Sequence, residues 1–235
     1  MTDQLLPLQF SLTPAPSPYV DTGVFDDVYR TITATARAAI HRRDYESCRF
    51  CGFRSPKYQT IVWLREGARD VDDGVTSCVF CEQVLRIDLA PAQKSGVLVW
   101  LPEVSQAMLN RAMYTVYLLR ISRDERADRA RRLLDRLMSR RGTAKERFGS
   151  DNPTLAVAKL TATRRPDTGP SLDDAAAKGL RLLPLDRRVI RESGLEFNQF
   201  PQLLAYCRST LGPAETQMPQ ASRTFDAFER ALSAL

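Results

Sequence analysis

Two Cys-x-x-Cys pairs, Cys48-Arg49-Phe50-Cys51 and Cys78-Val79-Phe80-Cys81, constrain this chain more than any other feature. A strand-like run and a polar loop lie between them, and two such pairs within one short stretch are a strong zinc signal. Two residues between thiolates let the backbone amides turn toward the sulfurs while both sulfurs reach one tetrahedral ion. Gly52 follows the second cysteine, where a knuckle turn needs a positive φ that glycine adopts without a Cβ clash. Two disulfides are the competing reading, but structural disulfides belong to oxidising compartments. Met1-Thr2-Asp3-Gln4 has neither the basic segment nor the apolar run of a secretory signal. Spacing and compartment together favour Cys48, Cys51, Cys78 and Cys81 as ligands of one structural zinc ion. Four thiolates fill a tetrahedral shell, whereas a catalytic zinc keeps a position open for water or substrate.

The rest of the composition fits a globular protein of the cytoplasm. With 43% hydrophobic residues in 235, the chain has material for a core. No run reaches the eighteen or so apolar residues of a membrane span. Cys207, in Leu203-Leu204-Ala205-Tyr206-Cys207, reads as a thiol of the core. The net charge of +6 is concentrated between Arg120 and Arg141, where nine arginines face Asp124, Glu125, Asp128 and Asp135. Such a face suits nucleic acid or another acidic surface. Pairs such as Glu125–Arg129 and Asp128–Arg132 make it equally a solvated helix face.

Along the chain, residues 1–20 read as an extended arm with one short strand and a proline-rich end. Residues 21–160 form the main zinc-bearing domain, 161–170 a linker, and 171–235 a helical C-terminal segment. Asp21 or Thr22 caps a helix reaching Arg42, with Val28, Ile32, Ala36 and Ile40 on one face. Thr60–Leu64 and Val97–Leu101 are strands, and Cys78–Cys81 opens a short helix or turn. Pro102-Glu103 starts a helix to Arg120 with Val104, Met108, Ala112 and Val116 inward. A second helix, Asp124 to Arg141, buries Ala127, Ala130, Leu133, Leu134, Leu137 and Met138, and Gly142 stops it. Short helices are predicted at 154–160, 172–178, 197–207 and 224–235. The fold class is α+β, with short strands embedded in a mainly helical domain.

The order helix, knuckle, strand, loop, second knuckle resembles a treble-clef zinc module of the HNH-endonuclease type. Those nucleases need a strand histidine as general base, an asparagine to orient it, and a second histidine after the last cysteine to hold a catalytic metal. Here Trp63 and Leu64 occupy the strand position, Asp73 stands near the asparagine position, and Glu82 follows Cys81. His41 precedes the first knuckle and reads as a helix-end residue favoured by the helix dipole. No residue set is placed both to deprotonate water and to hold a metal at a phosphate.

A more specific resemblance rests on Arg43-Asp44, Cys48-Arg49-Phe50-Cys51-Gly52-Phe53, Gly74-Val75-Thr76-Ser77-Cys78-Val79-Phe80-Cys81, Leu101-Pro102-Glu103 and Leu109-Asn110. Glu146-Arg147-Phe148-Gly149 and Leu180-Arg181-Leu182-Leu183-Pro184 extend it. Together these resemble the IcmJ/DotN family of type IVB secretion systems over roughly residues 20–185. The resemblance implies an HNH-like zinc fold without nuclease activity, with Cys48, Cys51, Cys78 and Cys81 as zinc ligands. It also implies a cytoplasmic subunit of a coupling complex, bound to the C-terminal tail of the membrane coupling ATPase. A nucleic-acid-binding zinc module using the Arg120–Arg141 face and a degenerate nuclease using Asp73 and Glu82 are the alternatives.

Overall fold

The computed structural model describes residues 5–12, 33–64, 71–163, 172, 177–192, 194–209 and 211–233. Helix α1 (Ala34–Arg43) is capped by Thr33, whose hydroxyl accepts from the Ala36 amide at 3.1 Å. The expected helix start at Asp21 or Thr22, with Val28 and Ile32, lies outside the described residues. The chain then makes the first knuckle and enters strand β1 (Gln59–Trp63), which pairs antiparallel with β2 (Gly74–Cys78), Gln59 opposite Cys78 and Trp63 opposite Gly74. Thr60, Ile61 and Val62 suit a pleated, buried surface, and all three are buried. Cys78 ends β2 in extended conformation and starts helix α2 (Val79–Leu85).

After the short helix α3 (Leu89–Gln93), strand β3 (Gly96–Trp100) pairs antiparallel with β4 (Leu180–Pro184), Leu98 facing Leu182. Helices were predicted on both sides of this stretch, but Leu180–Pro184 is a strand. Successive side chains of the pair point to opposite faces and so into two cores. Leu98, Leu180 and Leu182 point to a cluster with Val84, Ile87, Phe148, Ala156 and Leu160. Val99, Leu101 and Leu183 join the larger cluster that contains the cysteines. A strand pair buried on both faces reads as a continuous apolar run rather than an alternating one.

Helix α4 (Gln106–Arg120) runs through the larger cluster. It starts later than Pro102-Glu103 predicts, because Ser105 is the better cap: its hydroxyl accepts from the Met108 amide at 3.1 Å. Val104 is buried just ahead of the helix, with Ala112 and Val116 inward as expected. Helix α5 (Glu125–Ser139) buries Ala127, Ala130, Leu133 and Leu137, with Leu134 and Met138 partly covered. Gly142 does not stop it. The break comes at Arg140, and Gly142 lies inside α6 (Arg141–Phe148), which ends at Gly149 in left-handed conformation, φ 97°. Helix α7 (Pro153–Thr163) follows, with proline in its first turn where no amide is missed.

Beyond β4, strands β5 (Val189–Glu192) and β6 (Leu195–Asn198) form a hairpin absent from the sequence-based expectation. Helix α8 (Phe200–Arg208) buries Phe200, Leu203 and Cys207. Helix α9 (Pro213–Ser233) is far longer than the predicted 224–235 and inserts Phe225, Phe228 and Leu232 into the larger core. At the other end, residues 5–12 run extended without forming a regular strand. The Leu6 amide donates to Arg49 O at 2.8 Å, Ser11 N to Val84 O at 3.1 Å, and Ile87 N to Ser11 O at 3.0 Å.

Candidate metal centre

The four cysteines meet where the β1–β2 hairpin, the first knuckle and the start of α2 converge. Their sulfurs all lie within 4.8 Å of one another, every one is a free thiol, and all four are buried. The Cys51 and Cys78 sulfurs are 3.6 Å apart. A disulfide would bring two sulfurs to about 2.05 Å. A tetrahedron with metal–sulfur bonds of about 2.3 Å has edges of about 3.8 Å. The separation fits the second and excludes the first as the arrangement seen. The set can hold one metal ion.

Local structure explains how the ligands get there. In the first knuckle the Gly52 amide donates to Cys48 O at 2.9 Å, and the Cys48 amide donates to Phe53 O at 2.9 Å. Gly52 has φ +73°, the positive value expected at this turn. Cys78 and Cys81 occupy the cap and first turn of α2, where free amides favour anionic sulfur. Asp44, 5% exposed, holds the two halves in register. Its Oδ2 accepts from the Thr76 amide at 2.7 Å, and its Oδ1 from Arg43 Nε at 3.0 Å. Arg43 also donates to Val71 O at 2.9 Å, tying the end of α1 to the hairpin.

Burial and mutual contact act on the ionisation of these thiols. Burial pushes the Cys81 thiol well above its ordinary range, and hydrogen bonding with Cys48 and Cys78 does the same to Cys51. Burial also opposes ionisation of Cys48, but bonds from the other three thiols pull it down. Several buried sulfurs this close ionise together only when a bound positive charge compensates them. Cys207 stands apart as a core thiol, pushed up to about 12 by burial.

The residues at nuclease-like positions do other work. Trp63 ends β1 opposite Gly74, and the Asp73 carbonyl accepts from the Leu64 amide at 3.0 Å. Glu82, 1% exposed, is held between two guanidinium groups, Arg86 at 3.1 Å and Arg188 at 3.1 Å. His41 lies in the last turn of α1, the helix-end position expected, but its surroundings disfavour the charged ring that a helix dipole would favour. Its Nδ1 meets the Thr76 hydroxyl at 3.1 Å, and burial, followed by the charge of Arg37, lowers its pKa, so the neutral ring is favoured. Among the described residues, no second group of three or more His, Cys, Asp or Glu side chains converges on a point.

The arginine face is largely engaged within the chain. Arg129 bonds Glu229 at 2.7 Å and Asp226 at 2.7 Å on α9, with its guanidinium over the Phe225 ring. Arg136 donates to Leu232 O at 3.0 Å, Arg120 pairs with Asp186 at 2.7 Å, and Arg141 bonds Asp151 at 2.7 Å. The pairs expected along the helix, Glu125–Arg129 and Asp128–Arg132, give way to these partners elsewhere in the chain and to Asp128–Arg131 at 2.6 Å.

Sequence reasoning missed the contribution of α4. Asn110, fully buried, donates to Phe80 O at 3.0 Å and to the Cys81 sulfur at 3.4 Å. The available signal was a polar residue on the apolar face of a helix, four positions after Gln106.

No protein-family model matches the chain. The type 4 apparatus protein DotN of Legionella pneumophila subsp. pneumophila (strain Philadelphia 1) is 26% identical over 149 residues, which is 62% of this chain and 70% of DotN. The chain is similar to DotN. That likeness agrees with the sequence resemblance, and the structure adds mixed α and β elements with a buried four-cysteine cluster. No helix among the described residues is long and apolar enough to cross a membrane.

Proposed function

We propose that this DotN-like chain is a zinc-stabilised adaptor of a type IV secretion coupling complex, without catalytic activity of its own. Cys48, Cys51, Cys78 and Cys81 hold one zinc ion in a treble-clef, HNH-like module. The observation that carries the metal reading is the set of four buried sulfurs within 4.8 Å of one another. The donor chemistry fits: soft thiolates suit zinc, and four of them leave no position for substrate. The ion therefore supplies cross-linking of the knuckles and α2, and folding energy with it. The engagement of Glu82 by Arg86 and Arg188 supports a scaffold over a nuclease. The pairing of Arg129 and Arg136 with α9 supports it over a nucleic-acid binder, since these cations are already spent within the chain.

The protein partner is the cytoplasmic C-terminal tail of the coupling ATPase, which recruits this soluble subunit to the inner membrane. The support for that partner is the likeness to a type 4 apparatus protein. A pull-down from native lysate with the full chain as bait, read by mass spectrometry, tests it. Recovery of a membrane-anchored ATPase is expected. Recovery of nucleic acid without any ATPase would replace this reading with the nucleic-acid one.

A further inference from the structure

Helix α4 carries a polar stripe on its buried face: Gln106, Asn110 and Tyr114, at four-residue intervals. That spacing stacks side chains one above another on a single face. The three are 6%, 0% and 5% exposed, so each polar atom needs a partner within the protein. Gln106 closes a reciprocal pair with the Leu182 backbone, both bonds at 2.8 Å, and donates to Asn110 Oδ1 at 2.8 Å. Asn110 is thereby oriented with its amide nitrogen on the Cys81 sulfur at 3.4 Å.

Tyr114 continues the stripe one turn further. Its ring is held between the two knuckles, stacked on Phe53 at 3.8 Å and tilted against Phe80 at 4.2 Å. Its buried hydroxyl makes no hydrogen bond among the described residues, so the stripe reaches the cysteines through Asn110. A neutral thiol is a poor acceptor, whereas a metal-bound thiolate is a strong one.

We propose that Asn110 is a hydrogen-bond donor behind the metal centre, to the sulfur of Cys81, and that it sets how tightly the metal is held and how reactive that sulfur is. Donation draws charge from sulfur, lowering its nucleophilicity while leaving the coordination shell closed. Gln106 acts one step back, transmitting the position of β4 to the site through Asn110. The inference rests on the metal reading of the four cysteines.

The test uses the full chain and its Asn110→Leu and Asn110→Ala variants, with Tyr114→Phe as control and zinc and cobalt(II) as probes. Tyr114→Phe keeps the stacked ring and removes a hydroxyl that bonds no sulfur, so it is expected to behave as the parent. Competition with a chromophoric chelator should show metal affinity about 10–100-fold weaker in the folded Asn110 variants. Alkylation by N-ethylmaleimide should be faster, and the sulfur-to-cobalt charge-transfer band should move to lower energy. A packing role alone would leave that band and the alkylation rate where they are. Identical competition curves, alkylation rates and spectra in a folded Asn110 variant and the parent would overturn the proposal. A parent chain that binds neither ion would instead overturn the metal reading on which it rests.

Discussion

Replacing Glu82 with glutamine separates a structural carboxylate from a catalytic one. Glu82 bonds Arg86 and Arg188 at 3.1 Å each, and the three side chains are 2%, 4% and 11% exposed. Glutamine keeps the volume but offers one oxygen where two were used, and removes the negative charge that both guanidinium groups face. Each bond to a charged group is worth about 1.5–3 kcal/mol. Removing one member of a buried ion pair typically costs about 3–5 kcal/mol, because the remaining charge is uncompensated. The loss expected for Glu82→Gln is therefore about 3–5 kcal/mol, or about 6–20 °C in Tm for a chain of this size. Urea unfolding at fixed zinc concentration, with the slope compared between variants, measures it. Replacing all three residues by apolar ones of similar volume should recover most of the loss, since the triad is weak evidence for net stability. A Glu82→Gln cost below about 1 kcal/mol would refute the reasoning, since that is what an exposed pair gives.

Cys78→Ser should lose both its metal and its cooperative thermal transition, because metal binding and folding are linked; a variant that keeps both contradicts the closed site. Phe228→Ala should cost about 3–5 kcal/mol in chemical unfolding, since Phe228 is fully buried in the main core; a cost near zero would make α9 an appendage. The pKa of His41 is lowered from 6.5, so its neutral form is the one the folded state favours. Its contribution is present above 6.5 and is lost as pH falls from there through the lowered folded value. The parent should therefore lose more stability on acidification below 6.5 than His41→Gln does. Parallel pH profiles would contradict that assignment.

What the sequence discloses follows from how local each determinant is. The cysteine spacing, the positive φ of Gly52 and the strands at Gln59–Trp63 and Gly96–Trp100 depend on neighbours within a few residues, and all were legible. The pairing of β4 with β3 was not. Leu180-Arg181-Leu182-Leu183-Pro184 is short and has no alternation, because both of its faces are buried. The arginine face shows the same limit for charge. Helical spacing proposed Glu125 for Arg129, but α9 brought Asp226 and Glu229 from far along the chain into a better geometry. At α5, Gly142 looked like a terminator, yet the turn at Arg140 leads straight into another helix. The convergence of the four cysteines was legible, and the residues of α4 behind them were not. Asn110 and Tyr114 are unremarkable until α4 is set against the knuckles.

Zinc K-edge X-ray absorption on the purified full-length chain, with metal content measured on the same sample, tests the central claim most directly. The account predicts one zinc per chain with four sulfur neighbours at about 2.3 Å. A shell containing nitrogen or oxygen ligands, or protein without zinc whose cysteines are oxidised to disulfides, would contradict it.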